Sequence, residues 1–170
     1  MDAQPMSVFD YAIKMEQDGA TLYSEAARNL EEAAIKSFLS ALATEEERHA
    51  AMLLKLKEKI QKKRGTSYFK DENVDDYLQS LIASDYFDSV NMQNPRVTFS
   101  SVEAVYKIAI RAERSSIMLY ESILDKTKDK GLRTALKAMI RDEKNHLTKI
   151  VALRADRDNL FAVERFGCLC

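Results

Sequence analysis

Glu16 and Glu113 stand 97 residues apart (113 − 16 = 97), and the same motif follows each after the same interval (46 − 16 = 143 − 113 = 30). Glu46-Glu47-Arg48-His49 follows the first and Glu143-Lys144-Asn145-His146 the second, so the chain carries two copies of Glu…Glu-x-x-His. Together they use both histidines of the 170 residues. A tyrosine repeats with them, in Leu22-Tyr23 and Leu119-Tyr120. Residues three apart on a helix point to nearly the same side. Each Glu-x-x-His therefore aims a carboxylate and an imidazole one way. Two carboxylates and one imidazole per copy make half of a two-metal site, and two copies make a whole one.

The surroundings of these groups constrain the fold. Phe9, Ile13, Glu16, Ala20, Tyr23, Ala27 and Leu30 recur at steps of three and four. So do Leu39, Leu42, Glu46, His49, Leu53, Leu56 and Ile60. Tyr106, Ile110, Glu113, Ile117, Tyr120 and Leu124 form a third stripe, and Leu132, Leu136, Met139, Glu143, His146, Ile150 and Leu153 a fourth. Such spacing keeps each set on one helix face. Ionisable groups thus interrupt four stripes that otherwise face a core.

Burying an unpaired carboxylate costs several kcal/mol or a large pKa shift, and four together repel one another. All four glutamates are therefore expected to have raised pKa values without metal. Two divalent cations would cancel their charge. Carboxylate and neutral imidazole suit iron or manganese, and the residues alone do not choose between them or a mixed pair. A lone Glu-x-x-His on a helix is ordinarily a solvated pair. The duplication, the matched interval and the absence of Lys or Arg from these seams separate this chain from that case.

The length suits one domain spanning residues 1–170. A formal net charge of −1 gives no global pull toward nucleic acid or anionic membrane. Lys55, Lys57, Lys59, Lys62, Lys63 and Arg64 read either as a basic patch or as a solvated helix C-terminus facing its dipole. No apolar run spans a bilayer and the N-terminus lacks a signal-peptide pattern, which makes a cytoplasmic protein the default expectation. Cys168 and Cys170 are no disulfide framework; redox activity, soft-metal binding and an incidental tail remain alternatives.

The pattern predicts an all-α chain with helices at about 7–29, 32–63, 101–127 and 131–158. Ser7 with Asp10, and Ser100 with Glu103, read as capping boxes at two of the starts. Gly131 suits a turn better than a helix interior, and Gly65 is a stop. Residues 65–99 form a long crossover containing one or two short helices, and 159–170 a flexible tail. Two helical hairpins joined by a crossover make the ferritin-like version of the four-helix bundle, with the second and third helices parallel.

At the level of residues, Met15-Glu16-Gln17-Asp18-Gly19 to Tyr23, Glu45 to His49, Ala112-Glu113 to Tyr120, and Asp142 to His146 resemble the di-iron domain of the rubrerythrin family over about residues 5 to 155. The resemblance implies metal ligands Glu16, Glu46, His49, Glu113, Glu143 and His146, holding two iron ions. Tyr23 and Tyr120 would either hydrogen-bond ligand carboxylates or serve as core aromatics. Rubrerythrins have a second glutamate one turn after the bare glutamate of the third helix, where this chain has Ser116. They also carry a rubredoxin domain with Cys-x-x-Cys pairs, and this sequence has no such pair. The resemblance therefore implies a version without that domain. It would reduce hydrogen peroxide with electrons from an external donor protein such as a rubredoxin, and form a homodimer. Dioxygen is the other candidate substrate; nucleic acid and membrane are not expected partners. Ferroxidase or iron-handling activity, and a non-catalytic metal-stabilised structural or sensor bundle, stay open beside it.

Overall fold

The computed structural model describes residues 8–64 and 98–166. Its four long helices are α1 (Val8–Asn29), α2 (Ala33–Arg64), α3 (Val102–Lys126) and α4 (Lys130–Phe166), and no strand occurs among the described residues. The stripes pack inward. Leu22, Leu39, Leu53, Leu119, Leu136, Met139 and Ile150 are fully buried. Burying a side chain of this size is worth roughly 1.5–3 kcal/mol.

Cross-helix pairs establish the topology. Lys57 bonds Asp10, so α2 runs antiparallel to α1 from their tight turn. Arg154 binds Glu103 through both carboxylate oxygens, at 3.0 and 2.6 Å, while Lys144 meets Glu121 at 2.7 Å, so α4 runs antiparallel to α3. Between hairpins, Tyr23 bonds Glu113 and Tyr120 bonds Glu16, so residue numbers fall along α3 as they climb along α1. Glu45 pairs with His146 and His49 faces Asp142, which makes α2 and α4 antiparallel too. It follows that α2 and α3 are parallel, and the chain between Arg64 and Val102 joins opposite ends of the bundle. The expected short helices of the crossover, the Ser7 cap and the Gly65 stop lie outside the described residues, as do Cys168 and Cys170.

The helix ends follow local chemistry. Ser101, rather than Ser100, caps α3: its Oγ accepts from the Ala104 amide at 3.1 Å. Glu103 consequently does not close a capping box but turns to Arg154. Asp129 caps α4, accepting from the Gly131 and Leu132 amides at 2.9 and 3.1 Å. Gly131 is thus inside the first turn rather than in the loop. A Cβ there would meet Asp129 Oδ1 at 3.3 Å, so glycine leaves room for the capping carboxylate. Arg133 Nη1 donates to the Leu124 and Thr127 carbonyls, satisfying acceptors that the end of α3 leaves without helical partners.

The fourth helix also overruns its expected end near 158. Residues 159–166 are helical instead of a flexible tail. No glycine or proline intervenes between Gly131 and Gly167, so nothing in the backbone chemistry stops the helix sooner.

Candidate metal centre

The buried polar side chains are few and lie together. Among the described residues, the buried charged or polar side chains are Glu16, Glu46, His49, Glu113, Ser116, Glu143 and His146. Six of them are the duplicated motif. Each helix contributes one or two, from stripes whose other members are apolar, so packing those faces together brings all six to mid-bundle.

They gather as two overlapping groups. Glu16, Glu46, His49 and Glu143 can each offer a ligand atom within 4.8 Å of the others, and so can Glu46, Glu113, Glu143 and His146. Two donors on opposite sides of one ion, at bonds of about 2.2 Å, stand roughly 4.4 Å apart, so the span is close to that of a coordination sphere. Glu46 and Glu143 belong to both groups; Glu16 and Glu113 each belong to one. The imidazole rings stack loosely, with centroids 6.0 Å apart and planes at 27°.

Both rings turn the same edge inward. His49 Nδ1 lies 3.0 Å from Glu143, 3.4 Å from Glu16 and 3.8 Å from Glu46. His146 Nδ1 lies 3.4 to 3.5 Å from Glu46, Glu113 and Glu143. Their Nε2 atoms face outward, to Asp142 and Glu45 respectively. The inner atoms Glu16 Oε2, Glu46 Oε1, His49 Nδ1, Glu113 Oε2, both Glu143 oxygens and His146 Nδ1 are buried without a hydrogen-bond partner. Buried polar groups are ordinarily paired, and orphans cost about 1–3 kcal/mol each. Seven converging on one spot, all nitrogen or oxygen on carboxylate and imidazole, fit a pair of divalent cations.

The tyrosines hold the outer oxygens. Tyr23 Oη donates to Glu113 Oε1 and Tyr120 Oη to Glu16 Oε1, each crossing from one hairpin to the other. Each bond leaves the second carboxylate oxygen, Oε2, free to face the centre. Of the two roles open to Tyr23 and Tyr120, hydrogen-bonding to these carboxylates is therefore what the structure contains, within fully buried aromatic rings.

Without metal the four acids are shifted in opposite directions. Burial drives Glu16 and Glu113 well above the usual carboxylate range, and the charges of neighbouring glutamates add to the rise. Burial pushes Glu46 and Glu143 upward as well, but the imidazoles of His49 and His146 on either side favour their ionised forms and leave these two lowered. Raised values at all four acids were expected; only two are raised, because Glu46 and Glu143 each lie beside both histidines. Burial would lower the imidazoles, yet the surrounding carboxylates reverse this, with His49 pushed up to about 12 and His146 raised too.

Sequence reasoning missed Glu45 and Asp142, the acids just before each Glu-x-x-His. Their separation is again 97 (142 − 45 = 97), and that signal was legible. Ser116 occupies the repeat position of Gly19 (116 − 19 = 97) and is buried. The surface groove between α1 and α2, about 550 Å³ and lined by Ile13, Gln17, Ala20 and Leu54 among others, includes none of the six side chains. No helix among the described residues is long and apolar enough to cross a membrane.

Comparison with known proteins agrees with this geometry. A ferritin-like diiron-carboxylate protein from Thermotoga maritima is similar in structure, with a TM-score of 0.62 at 22% identity, covering 91% of this chain and 99% of that one. At that identity the likeness speaks to the fold. No curated protein matches the chain. The family model for rubrerythrin matches residues 8–154, nearly the whole bundle and every residue of the cluster, and the chain belongs to the rubrerythrin family.

Proposed function

We propose that the cluster holds two iron ions and that the protein reduces hydrogen peroxide to water, drawing electrons from a separate donor protein. The observation that carries this is the pair of four-ligand groups sharing Glu46 and Glu143, with their inner atoms buried and unpartnered. Two adjacent ferrous ions would supply the two electrons that, with two protons, convert one peroxide into two waters.

The chain's own groups set the conditions. Glu16, Glu46, His49 and Glu143 would hold one ion, and Glu46, Glu113, Glu143 and His146 the other. Tyr23 and Tyr120 fix the terminal carboxylates, so these do not have to be reoriented when an ion enters. Leu39, Leu53, Leu136, Met139 and Ile150 exclude bulk water from the surrounding core. Metal ligation takes deprotonated carboxylates and neutral imidazoles, and the values of Glu16, Glu113 and both imidazoles are raised, so occupancy would be coupled to proton release.

The test is a single turnover. Metal-free protein is loaded with iron without oxygen, peroxide is added, and ferric absorbance, peroxide loss and retained iron are followed together. The proposal expects one peroxide consumed per iron pair, iron retained, and re-reduction by an added rubredoxin-type donor. Oxidation followed by release of the iron would make the protein a ferroxidase. Peroxide consumption no faster than with free ferrous iron would reject the peroxidase reading and leave a metal-stabilised bundle.

A further inference from the structure

The two imidazoles are backed unequally. The hairpins exchange their outer acids, Glu45 of α2 reaching His146 of α4 and Asp142 of α4 facing His49 of α2. Glu45 Oε2 lies 2.7 Å from His146 Nε2, the length of a charge-assisted hydrogen bond. Asp142 Oδ2 stands 3.6 Å from His49 Nε2, too far for one, and that nitrogen is buried without a partner. Two features hold Asp142 away. Its side chain is one methylene shorter than that of Glu45, and its carboxylate also faces Arg48 Nη2 at 3.6 Å and Arg141 Nε at 3.4 Å.

A carboxylate on the outer N–H of a ligating histidine fixes the ring and raises the basicity of the inner nitrogen. Here that support is complete in one half and interrupted in the other. Glu45 thus links His146 to the outside of the bundle, whereas the outer nitrogen of His49 has no such link.

We propose that Glu45 makes the position formed by Glu46, Glu113, Glu143 and His146 the tighter of the two metal positions, filled first and emptied last. The position formed by Glu16, Glu46, His49 and Glu143 is the looser one. Glu45 is a positioning residue; Asp142, too far from His49 Nε2 for a hydrogen bond, is not. The inference rests on the two-metal reading above and adds an order of filling to it.

Unequal affinity alone does not discriminate, since two cations sharing Glu46 and Glu143 repel each other whichever enters first. The assignment does. Cobalt(II) is titrated into the metal-free full chain, followed by visible absorption and by the paramagnetically shifted proton resonances of the bound imidazoles. In wild type, the first equivalent is expected to produce one shifted, exchangeable imidazole N–H resonance. That resonance persists in His49→Gln and disappears in His146→Gln. Glu45→Gln is expected to weaken the first cobalt by about ten- to a hundredfold while leaving the second nearly unchanged, and Asp142→Asn to leave both nearly unchanged. The Glu45 side chain is 42% exposed, so its replacement does not disturb the core. A first-equivalent resonance that belongs to His49 overturns the proposal, and needs no Glu45 variant. So does an equal loss of affinity in Glu45→Gln and Asp142→Asn, which leaves the two-metal reading intact. Wild-type protein that binds no cobalt overturns both.

Discussion

The hairpin α1/α2 and the hairpin α3/α4 are alike where they touch the centre and different one layer out. Glu16, Tyr23, Glu46 and His49 recur as Glu113, Tyr120, Glu143 and His146 at one constant offset. Behind them Glu45 becomes Asp142, and Gly19 becomes Ser116. Nδ1 of both histidines faces the centre, yet one Nε2 finds its carboxylate at 2.7 Å and the other only at 3.6 Å. The lesson is that a doubled motif can specify two positions of the same ligand chemistry while its supporting residues make them unequal. The layer that must match the metal is constrained by coordination. The layer behind it is constrained only by the imidazole it supports and by the charges around it.

Removing a terminal carboxylate breaks the comparison most severely. Glu16→Gln and Glu113→Gln should each abolish tight binding of one metal, from opposite halves. Neither should weaken the metal-free fold, because burial and neighbouring carboxylates disfavour the charge of both acids and glutamine removes it. Calorimetric metal titration beside thermal melting checks both statements. Two tight sites in Glu113→Gln would remove Glu113 from the ligand set.

The pH dependence tests what the halves share. Glu16, Glu113, His49 and His146 all have raised values in the folded metal-free protein. Groups with raised values stabilise the fold fully below their unfolded pKa and lose that contribution as pH climbs through the folded one. Glu46 and Glu143 are lowered, so theirs is present above the ordinary carboxylate range and lost on acidification. Metal-free protein should therefore lose stability as pH rises above 6.5, the ordinary imidazole value, while the gain from added metal grows over the same range. Denaturant unfolding with and without metal measures it, and a metal-free stability that rises from neutral to alkaline pH would contradict the raised imidazole values.

Much of this was legible beforehand, for a physical reason. The apolar stripes had to face a core, so the carboxylates and imidazoles within them had to meet there. Glu45 and Asp142 escaped because they sit beside the stripe rather than in it, and only the partner hairpin shows what they face. The unequal proton affinities of the four glutamates were likewise hidden: they depend on which carboxylates lie between the histidines. Gly131 misled because its conformational freedom suggested a loop, whereas its missing Cβ makes room for Asp129. The end of α4 was set too early because a polar run at Arg154 to Asn159 breaks the stripe without breaking the helix.

Smaller effects sharpen the comparison. Tyr23→Phe and Tyr120→Phe each leave one oxygen of a buried glutamate without its donor and should cost about 1–3 kcal/mol in denaturant unfolding. The two losses should be similar, since the bonds are reciprocal; a cost at one tyrosine and none at the other would mean that only one bond forms. At the periphery, Ser101→Ala and Asp129→Ala should each cost about 1 kcal/mol through lost helix caps and leave metal binding untouched.

The central claim is that the two halves complete one centre for two metals. Elemental analysis of the full chain after anaerobic iron loading and removal of free metal tests it most directly. The account predicts a ratio approaching two irons per folded chain; folded protein that retains none, or that saturates at one, would contradict it.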